Sequence, residues 1–309
     1  MKLGMSMACY RWEVDLDKQR DGRAYRWHGY PELYFSSVPM TMPIDKGGLE
    51  WLMDHCAELG LQGLYTFSPR LEEPEYAASI RKKSEELGLE MILVSGFDWA
   101  SEGDKADHEI EKYVKRLRIA KDMGSQVVNV THSEASWKNH YTLDPSITTQ
   151  IEYMKENFAR ITEHAEKIGI VMALENHADY RCSEIAQVLN HIDSPVLKAN
   201  LDTGNPVNVI EDPVEAARSF AAHTVVVHLK DYRVLNSHIL DGAPRFSHAP
   251  TGQGNLPLGE MLEILQHDSP DPENLRLLIE TVPPLEVDPG MWVRRCVDNV
   301  REMFGEYLS

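Results

Sequence analysis

At 309 residues, with 42% hydrophobic and 26% charged residues, the chain carries enough apolar material for one sizeable core and lacks the composition of a disordered segment. Its 49 acidic residues against 31 basic ones give a formal charge of -18, which repels phosphate backbones and anionic lipid and so argues against nucleic acid or a membrane surface as a partner. Cys9, Cys56, Cys182 and Cys296 are widely spaced, without the close pairs of a zinc knuckle or a redox dithiol, which fits a reducing cytoplasm.

In chain order, Leu3 to Cys9 reads as a first strand. Arg11 and Glu13 follow it too soon for a secretory leader, and no later run approaches the roughly 20 apolar residues that a membrane span needs. A long connection, residues 11–45, comes next and carries Trp12, Tyr25, Trp27, His28 and Tyr30. One pattern then recurs, in which an amphipathic helical stretch ends in glycine and an apolar run begins at once. Gly60 precedes Leu61–Tyr65, Gly88 precedes Leu89–Val94, Gly124 precedes Gln126–Val130, and Gly169 precedes Ile170–Leu174. Glycine tolerates the left-handed backbone that closes a helix, so each marks a helix end.

Leu197–Leu201, Thr224–Leu229 and Leu275–Ile279 complete eight strands, all short and nearly continuous in hydrophobicity, as parallel strands buried on both faces are. Asp144-Pro145, Asp212-Pro213 and Asp288-Pro289 each place a capping carboxylate before a proline at a first helical position. Ile147, Ile151, Met154, Phe158, Ile161, Ala165 and Ile168 recur every three or four residues and give the fourth helix one apolar stripe. Eight alternations with right-handed crossovers predict an α/β fold in which residues 1–309 form a single (β/α)8 TIM barrel domain. An open doubly wound sheet would carry a glycine-rich phosphate loop after an early strand, and none is visible. A second long connection, residues 232–257, carries Arg233, His238, Arg245 and His248; both long connections follow strands and so lie over the C-terminal mouth of the barrel.

The polar residues that close the later strands carry the chemistry. Strand five ends Leu174-Glu175-Asn176-His177, strand six Leu201-Asp202-Thr203-Gly204-Asn205, strand seven His228-Leu229-Lys230-Asp231 and strand eight Ile279-Glu280-Thr281. Four consecutive staves would bring Glu175, Asp202, His228 and Glu280 to one end of one cavity. Three carboxylates in a low-dielectric mouth repel one another unless a cation or protons compensate them. One divalent metal ion is the economical solution; oxygen donors with one imidazole suit Mn2+, the preferred occupant, and are compatible with Mg2+, Co2+ or Zn2+, while the lack of thiolate argues against a closed structural zinc site.

These segments, with the turn Pro250-Thr251-Gly252-Gln253-Gly254, resemble the xylose isomerase-like barrel superfamily over nearly the whole chain, in particular its sugar isomerase and epimerase branch, with tagatose-type ketose 3-epimerases and inosose dehydratases. The resemblance implies that Glu175, Asp202, His228 and Glu280 bind the metal and that Glu175 and Glu280 also move protons. A divalent ion that chelates a carbonyl and its neighbouring hydroxyl stabilises the enediolate formed when the carbon acid loses a proton, so an isomerase or epimerase of a keto sugar or sugar derivative is expected. His132, His177, Asn205, Arg233 and Trp12 are the substrate-binding candidates, with His132 expected to point into the mouth. Lys230 and Asp231 read as a structural ion pair. Many epimerase relatives carry a histidine where this chain has Asn205, and an amide cannot exchange protons near neutral pH.

A lyase of the same superfamily, a dehydratase or a deglycosidase that eliminates from a keto-glycoside, is the second expectation: His132 would supply the acid beside the leaving group, and the aromatic-rich connection 11–45 a stacking surface for a larger substrate. An abasic-site endonuclease on this barrel fits less well, because duplex binding favours a basic face. A sugar-binding barrel without turnover is the non-enzymatic alternative. The expected partner is a small sugar, and homo-oligomerisation stays open.

Overall fold

The computed structural model describes residues 1–13, 48–66, 68–132, 136, 138–235, 245–284 and 287–308, without the side chains of residues 11–13, 69 and 245. Eight parallel strands close a barrel: β1 (Lys2–Ser6), β2 (Gly63–Thr66), β3 (Glu90–Phe97), β4 (Val127–His132), β5 (Val171–Glu175), β6 (Leu197–Asp202), β7 (Thr224–Leu229) and β10 (Arg276–Ile279), with β1 pairing to both β2 and β10. Two further strands, β8 (Tyr232–Leu235) and β9 (Arg245–His248), form a separate antiparallel ribbon. Around the barrel run α1 (Gly48–Glu58), α2 (Pro74–Leu87), α3 (Gly103–Asp122), α4 (Ile147–Ile168), α5 (Cys182–Ile192), α6 (Pro213–Phe220), α7 (Leu258–Asp268) and α8 (Pro289–Phe304). No helix among the described residues is long and apolar enough to cross a membrane.

Most of the expected signals act as read. Gly60, Gly88, Gly124 and Gly169 all adopt positive φ at the ends of helices. The α4 stripe buries Ile151, Met154, Phe158, Ile161 and Ala165, with Ile147 and Ile168 packed at its margins. Asp212 and Asp288 cap α6 and α8, accepting from the N–H groups of Val214 and Glu215 and of Met291.

Three expectations need correction. The first strand ends at Ser6 rather than Cys9: the Ser6 hydroxyl accepts from the Ala8 N–H, and the local bond turns the chain into a 3-10 segment, Met7–Glu13. Asp144-Pro145 does not open α4; Ser146 is its cap, accepting from Thr149 N–H. The connection 232–257 is not all loop, since Tyr232 pairs with His248 and Leu235 with Arg245 across the ribbon.

Side chains alternate across a strand, so residues two apart share a face. Tyr65, Ile92, Val94, Val127, Ala173, Val226 and Leu278 make a small apolar cluster of their own inside the barrel, apart from the larger one between strands and helices. The interior is tight: a Cβ on Gly4 would meet the Gly63 carbonyl oxygen at 2.5 Å and a Leu278 methyl at 2.7 Å. This filled floor sets the orientation of the next residues up. Glu175 stands two beyond Ala173, His228 two beyond Val226 and Glu280 two beyond Leu278, so all three face inward above the apolar layer.

Candidate metal centre

Register brings the ends of the strands level. Asp202 is paired with His228 across β6 and β7, His228 with Leu278 across β7 and β10, and Glu175 with Asn200 across β5 and β6. One donor atom from each of Glu175, Asp202, His228 and Glu280 lies within 4.8 Å of the others, and all four residues are buried. The Nδ1 of His228 is the hub, 2.8 Å from Glu280 Oε2, 3.4 Å from Glu175 Oε1 and 3.9 Å from Asp202 Oδ2.

Each carboxylate keeps one oxygen anchored and turns the other to the centre. Glu175 Oε2 accepts from Asn129 Nδ2 at 2.5 Å, Glu280 Oε1 accepts from the Ser6 hydroxyl at 3.1 Å, and Asp202 Oδ1 accepts from the Gly204 and Asn205 N–H groups at 2.9 and 3.1 Å. Facing inward, Asp202 Oδ2, Glu280 Oε2 and His228 Nδ1 have no well-formed hydrogen bond among the described residues, although all are buried. Buried polar atoms are nearly always satisfied, so three unsatisfied donors to a common point are what a cation site requires.

The charges agree. Lys230, two residues beyond His228, reaches the same cluster, with Nζ 2.5 Å from Asp202 Oδ2 and 3.3 Å from Glu280 Oε2. Burial penalises every charge here, yet against it His228 holds Glu175 down to about 2, while Glu280 and Glu175 lift His228 to about 10. Glu280 is likewise held low, against burial, by Lys230 and then His228. Asp202 moves the other way: burial, with Glu175 and Glu280, outweighs the Lys230 ammonium. A neutral imidazole, three carboxylates, one ammonium and one divalent cation would sum to zero. Donor set and charge both fit such an ion.

The flanking motif residues hold this arrangement. Asn176 clamps β5 to β6, donating to the Asp202 carbonyl and accepting the Asp202 N–H. The Thr203 hydroxyl donates to the Lys230 carbonyl at 2.7 Å and accepts the Lys230 N–H at 2.9 Å, tying β6 to the end of β7. Gly204 leaves room for Tyr232, whose ring a Cβ there would meet at 2.7 Å. The expected Lys230–Asp231 ion pair is not formed. Inward and outward parity separates them: Lys230 turns to the cluster, whereas the Asp231 carboxylate accepts from the N–H groups of Gly252, Gly254 and Leu256 and fastens the Pro250–Gly254 turn.

The substrate-binding candidates divide. Asn205 is buried beside the cluster, its Oδ1 3.4 Å from Lys230 Nζ. His177 lies at the rim, 3.3 Å from Asp179 Oδ2, and although burial lowers its proton affinity, Asp179 and Glu175 raise it to about 9. Arg233 is exposed on the ribbon, donating to the Gln253 carbonyl. The side chain of Trp12, like residues 14–47 and 236–244, lies outside the described residues. His132 does not point into the mouth. It has the parity of Val128 and Val130, facing the helices, where its Nδ1 accepts the Trp99 N–H at 3.2 Å and its Nε2 lies 3.1 Å from the Lys138 carbonyl oxygen.

Sequence reading misses Lys230 as a partner of the cluster, and it misses Ser6, Tyr65, Asn129 and Asn200 beneath it. A signal exists for the two asparagines: each interrupts an apolar strand buried on both sides, where an amide must find a partner.

Among known proteins, residues 53–286 match the family model for the xylose isomerase-like TIM barrel. The chain is 24% identical over 116 residues to uncharacterized protein YihM of Escherichia coli (strain K12), covering 38% of this chain and 32% of that protein. It is 25% identical over 183 residues to the 3-oxo-isoapionate decarboxylase of Pectobacterium atrosepticum, covering 53% of this chain and 64% of that one. The chain therefore spans less than two thirds of the length of both curated relatives. Two solved structures align over 100% of both chains: the IOLI protein with a bound zinc atom, at TM-score 0.70 and 12% identity, and D-psicose 3-epimerase of Clostridium cellulolyticum H10 with D-tagatose, at TM-score 0.68 and 14% identity. At such identities the structural likeness speaks for the barrel alone. The family match covers most of the sequence, and on that ground the chain belongs to the xylose isomerase-like TIM barrel family.

Proposed function

We propose that the protein is a divalent-metal-dependent isomerase or epimerase of a keto sugar or sugar derivative, with Glu175, Asp202, His228 and Glu280 as ligands and Mn2+ as the preferred ion. The observation that carries this reading is the buried four-residue cluster, whose donor atoms converge within 4.8 Å of one another and, among the described residues, face only the Lys230 ammonium besides each other. When bound, a divalent cation supplies Lewis-acid polarisation of a carbonyl and its adjacent hydroxyl, acidifying the neighbouring C–H. The chain supplies the rest. In the strand order β10-β7-β6-β5, Glu280 and Glu175 stand at the two ends of the liganding arc, suited to removing a proton on one side and returning it on the other. Ser6 can turn its hydroxyl as Glu280 gains or loses a proton, because a hydroxyl both donates and accepts. Lys230 offsets the negative charge that develops on the substrate, and Asn205 and His177 are placed to hold its hydroxyl groups. Four buried free cysteines suit a reducing cytoplasm.

A second reading has its own support. The decarboxylase relative and Asn205, an amide that cannot act as a proton-exchanging group, favour a lyase that spends the same carbanion on bond cleavage. Incubating Mn2+-loaded protein with a keto-sugar panel in D2O separates the two. Deuterium at one carbon of an otherwise intact sugar is the expected result. An unsaturated or shortened product supports the lyase, and no exchange or conversion across the panel, with metal bound, sinks both.

A further inference from the structure

Beneath the cluster, two carboxamides form a continuous chain between two of its members. Glu175 Oε2 is 2.5 Å from Asn129 Nδ2, Asn129 Oδ1 is 2.7 Å from Asn200 Nδ2, and that same Nδ2 is 3.0 Å from His228 Nε2. Both asparagines are fully buried, and Asn200 Oδ1 has no partner among the described residues. In this polarity Asn200 donates at both contacts, so in the neutral ring that a cation requires His228 Nε2 offers the lone pair and the single proton sits on Nδ1. Yet Nδ1 is the atom that faces Glu175, Asp202 and Glu280. A cation held there needs the Nδ1 lone pair, which leaves the hydrogen on Nε2 and calls for an acceptor at the Asn200 position.

We infer that Asn200 is the positioning residue that sets the tautomer of His228 for metal binding, by turning its carboxamide over so that Oδ1 accepts the Nε2 hydrogen. The two ends of a carboxamide are nearly the same size, so the reversal needs no displacement of neighbours. Asn129 reverses with it: its Nδ2 then donates to Asn200 Oδ1, and its Oδ1 turns toward the Tyr65 hydroxyl, now 3.1 Å from Asn129 Nδ2, which can donate. Glu175 Oε2 thereby gives up its amide donor. The chain of amides thus links the ligand form of His228 to the anchoring of Glu175. This inference rests on the metal reading of the cluster, and it adds a role for residues that touch neither metal nor substrate.

The test is Zn2+ affinity, measured by competition with a chromophoric chelator, for the native chain, Asn200→Asp and Asn200→Leu. Aspartate is an acceptor of the same shape and cannot donate, so Asn200→Asp should bind at least as tightly as native. Asn200→Leu, which cannot accept, should bind roughly 10–100-fold more weakly. Loss of affinity in Asn200→Asp as large as in Asn200→Leu, or native affinity in Asn200→Leu, overturns the inference. Should neither variant fold, nitrogen-15 NMR of Zn2+-loaded native protein decides: an Nε2 hydrogen of His228 that is hydrogen-bonded to Asn200 Oδ1 supports the assignment, and an Nε2 hydrogen without that bond, or a hydrogen on Nδ1, overturns it. Native protein that takes up no Zn2+ or Mn2+ at all overturns the metal reading itself and this inference with it.

Discussion

His228 and His132 are buried to the same degree, 0% and 1% exposed, and both stand at the carboxyl ends of barrel strands. They differ by strand parity. His228 shares the face of Val226 and meets three carboxylates; His132 shares the face of Val130, between barrel and helices, and its ring is walled by Trp99 and Tyr180. Both nitrogens of His132 are engaged with backbone groups, and burial lowers its proton affinity, so it is held as a neutral wall residue. One step along a strand thus separates a ligand from a strut. On the inner face polar atoms are left unsatisfied toward a shared point, and on the outer face they are spent on holding the chain.

The largest expected effect breaks the inner face. Glu175→Gln and Glu280→Gln keep the shape and one acceptor of each side chain but remove the proton-accepting charge, so turnover at saturating metal should fall by about 10²–10⁴-fold. Thermal unfolding should move by only a few degrees for either variant. Full activity in both would remove the acid–base assignment.

Strand parity also explains what can be read in the residues alone. Glu175, Asp202, His228 and Glu280 stand out because each is a charged or ionisable group at the close of an apolar run, at four corresponding places in an alternating pattern. The glycine stops work because left-handed backbone is a local demand. His132 cannot be placed, since in Val127-Val128-Asn129-Val130-Thr131-His132 both faces are apolar and nothing local says which is inside. Lys230 lies beyond reach for a related reason: its neighbour Asp231 looks like a partner, and only the barrel shows that adjacent residues face opposite ways. The Asn129–Asn200 pair is 71 positions apart, and its meaning depends on closure. Strand β1 reads too long because the apolar run continues past Ser6 while the extended backbone does not.

A moderate effect tests the outer face. His132→Phe fills the same pocket between Trp99 and Tyr180 but leaves the Trp99 N–H and the Lys138 carbonyl unsatisfied, which should cost about 1–3 kcal/mol of unfolding free energy. Denaturant titration measures the loss. Metal affinity and turnover should stay within about twofold of native. A collapse of metal binding in a folded His132→Phe protein would mean that the two faces are not separable, and the comparison would fail.

The smallest effect lies between the two extremes, at a carboxylate that is buried like those of the centre but answered by one exposed partner. Asp98, just beyond β3, is 4% exposed at its side chain and sits 2.6 Å from Lys105, which is 62% exposed. Burial raises the Asp98 proton affinity, but the hydrogen bond from Lys105, helped by other neighbours, holds it below its ordinary value. A carboxylate depressed on folding contributes stability above its unfolded pKa of about 3.9, and that contribution is lost as pH falls through the lower folded value. Screening of the exposed ammonium limits it to about 1 kcal/mol or less. Asp98→Asn should therefore be slightly less stable than native in urea near pH 7, and the gap should narrow as the pH drops below about 4. A gap that stays constant into acid would show that Asp98 acts through shape and not charge, which would confine charge-dependent behaviour to the inner face.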